Sequence, residues 1–213
     1  MNAVSLSVSV PVCAFRRPYA REFLETERVP PPATVYGFLL SLVGEEDRWK
    51  YTGTRLAIAM LSLPALSTVL RTVWRVKSNK SGLGIGKNKT PDYQELLIGL
   101  ELAVWVAPGD VAERLADGLA NPATITRYGG LSLGESRDLV DEVRLNPHYG
   151  GRRGVWLSRD PGGSLPLPVW VDHVGSKGTR WEQFGLRDAL LEPPPENDDR
   201  WITILPPANT DDE

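Results

Sequence analysis

The sequence is short of the residues that carry most metal and covalent chemistry: it has one cysteine, Cys13, and two histidines, His148 and His173, in 213 residues. A single cysteine excludes an intrachain disulfide framework and a cysteine zinc site. The histidines are too far apart in sequence to make a metal motif by spacing. No metal and no cofactor are expected. Long apolar runs are missing as well: the longest, near Leu96 to Ala107, is interrupted by Glu101, and the first residues hold no basic segment leading into an apolar stretch. Neither a membrane span nor a signal peptide is expected, and a reducing, cytoplasmic setting fits.

A strong net charge is also absent. The formal value is −3, which taken alone argues against a nucleic-acid partner. The average hides an asymmetry. Up to Asp92 there are 13 Lys or Arg against 7 Asp or Glu, and beyond it 11 against 20. The first half is the candidate polyanion-binding half, and the acidic runs EPPPENDD and TDDE near the end read as solvated surface or tail. What is present is the composition of a folded protein, 41% hydrophobic with seven tryptophans, on a chain long enough to bury a proper core.

Along the chain, Val4, Leu6, Val8, Val10 and Val12 alternate with polar positions and predict a half-buried strand. Pro30, Pro31 and Pro32 then hold the chain extended and set helical φ, and Val35, Phe38, Leu39, Leu42 and Val43 make one apolar stripe of a helix that stops at Gly44. Between these two elements lies a basic loop with Arg16, Arg17, Tyr19 and Arg21, its ends fixed and its charge presented in a defined direction. Leu56, Ile58 and Met60 alternate with alanines in a second strand. A third strand carries Leu66, Leu70, Trp74 and Val76 on one parity and Val69, Arg71, Val73 and Arg75 on the other, with Trp74 expected in the core. Period two resumes from Leu96 to Val106. Asp110 and Glu113 read as a capping box before Val111, Leu115 and Leu119 of a second helix ending at Asn121-Pro122, and residues 139–145 predict a closing strand.

Residues 77–92, KSNKSGLGIGKNKTPD, are glycine-rich, basic and without periodicity, so they read as an exposed arm joining two strands. Nucleotide-loop patterns fail on spacing, because Ser81 and Asn88 stand where a phosphate loop needs Gly and Ser or Thr, and Lys87 stands at the third glycine of a dinucleotide motif. What remains is Lys77, Lys80, Lys87 and Lys89 beside Arg71 and Arg75. If these six met phosphates of one strand, log K against log salt would have a slope of about −4. A solvated flexible loop is the other reading. Such an arm could also order only on binding. A second glycine loop has Arg127, Tyr128 and Arg137 flanking peptide N–H groups that could hold a phosphate or an unstacked base. Tyr19, Trp49, Tyr51 and Trp74 are candidate stacking platforms, core being the better reading for Trp74.

With the arm set aside, the order strand, helix, strand, strand, helix, strand is the ferredoxin-like arrangement of an α+β protein. The expected domains are residues 1–145, carrying a β-hairpin thumb at 77–92, and 146–213 as a small C-terminal β appendage with apolar bursts at Val155 to Leu157, Val169 to Val171 and Trp201 to Leu205.

Three stretches together, Phe15-Arg16-Arg17-Pro18, the Pro-Pro-Pro-Ala-Thr-Val-Tyr-Gly of residues 30–37 and the Gly-Gly-Leu-Ser-Leu-Gly-Glu-Ser of residues 129–136, resemble the family-five CRISPR-associated proteins of the RAMP superfamily. The resemblance covers about the first 145 residues. It implies an RRM-like (ferredoxin-like) domain with a thumb, working in a type I Cascade as the subunit that caps the 5′ handle of the CRISPR RNA (crRNA) without cutting it. It adds Thr34 and Tyr36 at the helix start to the RNA-binding set. It also makes Gly129, Gly130, Ser132, Gly134 and Ser136 the family's glycine-rich loop, and residues 77–92 the thumb that packs on the neighbouring backbone subunit beside a kinked nucleotide. The partners it implies are the crRNA handle, the backbone and large subunits and, left open, target DNA. Two other readings stand beside it: a metal-independent endoribonuclease built on His148, Tyr149, Arg152 and Arg153, and a generic single-stranded RNA-binding module.

Overall fold

The computed structural model describes residues 3–21, 23–74, 76–127, 129–171 and 178–208. Arg75, Tyr128 and His173, all singled out from the sequence, lie outside the described residues.

Strand β1 (Val4–Cys13) buries Val4, Leu6, Val8 and Val10 and half-covers the serines between them, as its alternation requires. Its partner on one side is the long strand β5 (Lys89–Val106), antiparallel in continuous register from Val4↔Val106 to Cys13↔Leu97. The alternation inverts once. Val12 and Ile98 point outward while Cys13 and Leu97 are buried, and the inversion falls where Pro11 faces Gly99, which has φ +70°. A proline cannot donate to the ladder and a glycine at positive φ departs from the regular pleat, so the buried face of both strands switches at that level.

The other strands of the first half complete an antiparallel sheet. Strand β3 (Arg55–Met60) pairs with β5, and β6 (Glu142–Leu145) pairs with β1, giving the order β6-β1-β5-β3. Helix α1 (Pro32–Leu42) starts as its prolines dictate, with Pro31 extended at the cap position and Pro32 in the first turn. Every residue of the predicted stripe is buried, and so are Tyr36 and Leu40, so only Thr34, Gly37 and Ser41 stay open. At roughly 1.5–3 kcal/mol per buried large apolar side chain, this helix is held by packing and not by propensity. Gly44 ends it at φ +65°, with the Thr126 carbonyl oxygen 2.2 Å from where a Cβ would stand.

Helix α2 (Asp110–Ala120) packs beside α1 on the same core, through Val111, Ala112 and Leu115. Its start differs from expectation. Gly109 is the cap residue and Asp110 the first helical one, so the expected capping box does not form; Asp110 and Glu113 sit in the first turn, where the helix dipole favours negative charge. Arg114 then ties α2 to the end of α1, donating to Glu45 Oε2 (2.9 Å), Tyr51 Oη (2.7 Å) and the Val43 carbonyl (3.1 Å).

Strand β4 (Ala65–Trp74) does not join the main sheet edge. It forms a regular ribbon with the first half of β5, from Ala65↔Ile98 to Trp74↔Lys89. Trp74, expected in the core, is exposed on this ribbon, with its indole against Gly84, where a Cβ would lie 2.6 Å from the ring. The arm's tip has its own organiser. Asn88 is buried; its Oδ1 accepts from the Lys77 (2.7 Å) and Ser78 (2.9 Å) N–H groups, and its Nδ2 donates to the Ser78 (2.9 Å) and Ser81 (2.8 Å) carbonyls. One amide thus closes a loop whose composition alone reads as flexible.

The C-terminal part carries β7 (Arg153–Arg159), β8 (Leu165–Trp170), β9 (Arg180–Leu190) and β10 (Ile202–Thr203). It extends the sheet in the order β3-β7-β9-β8, with β10 also on β3. Its residues supply the second face. Ala57, Ala59 and Ala103 leave room for Trp105 and Trp156, stacked at 4.6 Å, and Trp201 closes the cluster. Arg200 lies 4.8 Å over Trp156 and donates to both oxygens of Asp198 (2.7 Å each), which holds that carboxyl down to about 2.

Candidate nucleic-acid interface

Three loops converge at the end of β1. The chain leaves β1 at Ala14, runs out through Arg16 to the exposed Tyr19, and returns to pair antiparallel with itself at Arg16↔Thr26. Thr26 locks that return, its Oγ1 accepting from the Phe15 N–H at 2.8 Å. Strand β2 (Phe23–Leu24), which carried no sequence signal, pairs parallel with Tyr93 and Gln94 of β5 and fixes the far side of the loop. The basic loop is therefore a small hairpin braced on β5.

Beside it sits the second glycine loop, held by one buried carboxylate. Asp138 Oδ2 accepts from the Ala14 N–H (2.9 Å) and the Glu135 N–H (2.8 Å). Gly134, at φ +120°, lies so close that a Cβ would be 2.8 Å from the Ala14 carbonyl oxygen and 2.6 Å from Asp138 Oδ2. Burial raises the Asp138 carboxyl from its ordinary value, against the lowering effect of the two N–H bonds. The same burial, with the Asp138 charge nearby, pushes the Cys13 thiol up to about 12, so it is an inert core group. Asp138→Ala strips two buried N–H groups of their acceptor and is expected to cost about 2–4 kcal/mol, whereas Asp138→Asn keeps an oxygen there and is expected to cost under about 1 kcal/mol. Urea denaturation of the two variants tests this.

Between these loops and the start of α1 runs a cleft of about 300 Å³ lined by Arg16, Pro18, Pro31, Thr34, Gly134 and Glu135, with Pro168, Val171, Thr179 and Trp181 as the far wall. It continues past Thr34, Gly134 and Val171 into a second cleft of about 290 Å³ over Gly37 and Ser41. The open stripe of α1 is thus made of small residues and forms a floor. Arg16 also borders a third, wider cleft of about 710 Å³ beside the outer half of the ribbon, where β4 runs into the arm, with Arg21, Lys77, Val73 and Asp92.

The predicted site residues separate accordingly. Arg16, Thr34, Ser132 and Gly134 line this trough, and Arg21 and Lys77 join Arg16 in the third cleft. Arg16 also donates to the Ala20 carbonyl (3.0 Å), and Arg17 pairs with Glu27 at 3.3 Å. Arg71 and Arg137 come together from ribbon and loop: both donate to Gln94 Oε1, Arg137 at 2.7 Å. Gly129, Gly130, Arg127 and Ser136 are exposed at the loop's outer side, and Lys80, Lys87 and Lys89 are exposed on the ribbon and its tip. Tyr36 is the exception. It is fully buried, its hydroxyl donates to the Arg48 carbonyl at 2.7 Å, and burial pushes that hydroxyl up to about 12, so it fastens α1 and does not face the trough.

Of the candidate platforms, Tyr19 is free at the loop tip, Trp49 leans on Trp170 at 4.7 Å, and Tyr51 is committed to Arg114. The wall residues Pro168 and Trp181 carry no sequence signal, because only the long-range pairing of β8 with β9 brings them there. Glu135 stands inside the glycine-loop stretch of residues 129–136 without being singled out by it, and Asp138 lies two residues past it without a motif to mark it. Of the histidine cluster, His148, Tyr149 and Arg152 share a separate cleft with Ser7, Ser9, Glu101 and Arg144; the half-buried Tyr149 ring also packs on Trp105 (5.5 Å), burial pushing its hydroxyl up to about 12, while Arg153 pairs with Asp188. Among the described residues no group of three His, Cys, Asp or Glu is placed to hold a metal, and no helix is long and apolar enough to cross a membrane.

No family model matches the chain. It is 44% identical over 199 residues to a CRISPR-associated protein Cas5 of Myxococcus xanthus (strain DK1622), a match that covers 89% of this chain and 92% of the relative. Among solved structures, a chain of a CRISPR RNA-guided surveillance complex superposes with a TM-score of 0.60 at 13% identity, over 96% of this chain and 91% of that one. A Cas protein crystal structure gives 0.54 at 13% identity, over 89% and 94%.

Proposed function

This chain belongs to the family of the CRISPR-associated protein Cas5, and from that premise we propose that it holds the 5′ handle of the crRNA in a type I Cascade complex without cutting it. The observation that carries the reading is the trough itself, where the Arg16 hairpin, the start of α1 and the Gly134 loop meet. A single strand needs such a place. Arginine and backbone groups fix its phosphates, small residues let it approach closely, and walls of ring surfaces hold unstacked bases.

In this reading the strands ordered β6-β1-β5-β3, with α1 and α2 on one face, are the ferredoxin-like (RRM-like) domain. The β4–β5 ribbon with its tip is the thumb. The thumb exposes Leu70, Trp74, Leu83, Ile85 and Tyr93 together with its lysines, a surface suited to the neighbouring backbone subunit. The acidic C-terminal half is left for solvent and for basic surfaces of other subunits. The non-catalytic role is supported by Arg153, which pairs with Asp188 and does not line the cleft that His148, Tyr149 and Arg152 share.

Arg16→Ala/Arg17→Ala is expected to weaken binding of repeat-derived RNA and to make log K against log salt shallower by about 1.4, at roughly 0.7 for each phosphate no longer neutralised. An unchanged affinity and slope would contradict the assignment of this loop to the RNA.

A further inference from the structure

We infer that Glu135 is a base-specificity residue, whose carboxylate takes the exocyclic amino group of an unstacked base seated against Trp181. The inference rests on the RNA-binding reading and deepens it. A carboxylate in a cleft edged by Arg16 is badly placed for a phosphate, which it would repel. It is well placed for a base edge, where a carboxylate accepts from amino groups.

The side chain is also fixed. The Glu135 N–H is held by Asp138 Oδ2 at 2.8 Å. Its Oε2 accepts from Arg137 and from Gln94 Nε2 (3.2 Å), and Gln94 is itself buried. Among the described residues no hydrogen bond reaches Oε1, and the side chain is 29% exposed, so one oxygen of a pre-oriented carboxylate is open to a ligand. Trp181, which lines the same cleft, is 39% exposed, and Pro18, Pro31 and Pro168 add apolar surface to it. A ring can stack on the indole while its edge meets Oε1.

The chemistry of the edge decides which base fits. Adenine, cytosine and guanine each carry an amino group that can donate to Oε1. Uracil carries carbonyl oxygens on both sides of its one N–H and would set an acceptor against the carboxylate. One position of the handle is therefore read as an amino-bearing base against uracil.

The experiment uses the full chain with handle RNAs in which each position is replaced in turn by uracil. Wild type is expected to lose about tenfold or more at one position, the discrimination typical of one base contact. Glu135→Gln is expected to level that preference, to leave the salt slope unchanged, and to bind a scrambled RNA at least as well as wild type, because it removes a negative charge. Trp181→Ala is expected to weaken all bases at the same position about tenfold, and it provides the reading if Glu135→Gln does not fold. If wild type shows no preference for the handle, the RNA-binding reading fails. If it prefers the handle and Arg16→Ala/Arg17→Ala weakens it, but Glu135→Gln leaves discrimination at every position unchanged, or Trp181→Ala leaves handle affinity unchanged, only this inference is overturned.

Discussion

Gly134→Val is expected to abolish RNA binding and to lower stability by about 3 kcal/mol, a fall of roughly 6–12 °C in Tm for a chain of this length. Two effects add at this residue. The backbone sits at φ +120°, where an L side chain is strained, and a Cβ would press on the Ala14 carbonyl oxygen at 2.8 Å and Asp138 Oδ2 at 2.6 Å. Neither neighbour can give way cheaply. Ala14 is backbone at the end of β1, and Asp138 is the carboxylate that holds two N–H groups. The loop must lift, and with it Glu135 and the wall it shares with Thr34. Gly37→Ala is the matched control, since its Cβ meets nothing within 4 Å and it is expected to raise or preserve Tm. Retained binding with a Tm within about 1 °C of wild type would mean that the loop does not depend on this contact.

Trp156→Ala is expected to cost about 3–5 kcal/mol, the usual range for emptying a buried tryptophan site. Its indole stacks on Trp105, lies under Arg200, and donates to the Leu190 carbonyl at 3.2 Å, so one side chain joins β5, β7, β9 and the last turn before β10. It is also the residue at which β7 pairs with β3, opposite Ala59. Loosening that seam frees the β7-β9-β8 extension, and Pro168 and Trp181 travel with it. RNA affinity is therefore expected to fall together with stability, although Trp156 lies outside the trough. Hydrogen exchange locates the effect. Amides of β8 and β9 are expected to lose protection while those paired between β1 and β5 keep it; a uniform loss would mean that the extension does not open separately.

The two halves of the chain are unequally legible. The start of α1 can be read from Pro30 to Pro32 because proline geometry is local, and the β1 stripe can be read because alternation against one core face is local too. The inversion at Pro11 and Gly99 cannot, since it depends on two residues meeting across a ladder. Trp74 departs from expectation for the same kind of reason: its parity matches a strand, but that strand leaves the sheet as a ribbon, and only pairing reveals it. Asn88 shows the limit of composition, because one buried amide orders a tip whose glycines and lysines suggest a loose arm.

At the site, the arginines and glycines are visible as types, and their roles are set by tertiary contacts. Tyr36 enters the RNA-binding set by position and leaves it by burial. The family resemblance read from the sequence stops near residue 145, whereas the Cas5 relative matches 89% of the chain; the far wall of the trough comes from β8 and β9, in the part without a legible motif, and no local signal in Pro168 or Trp181 points to residues some 150 positions earlier.

The most direct test of the RNA-binding account is a competition between handle RNA and a scramble of equal length and composition for the purified full chain, alone and with its co-expressed backbone subunit, followed by a denaturing gel. The account predicts that the handle wins, that Arg16→Ala/Arg17→Ala removes the advantage, and that the RNA is recovered intact. Equal binding of handle and scramble in both settings, or site-specific cut products without added metal, would contradict it.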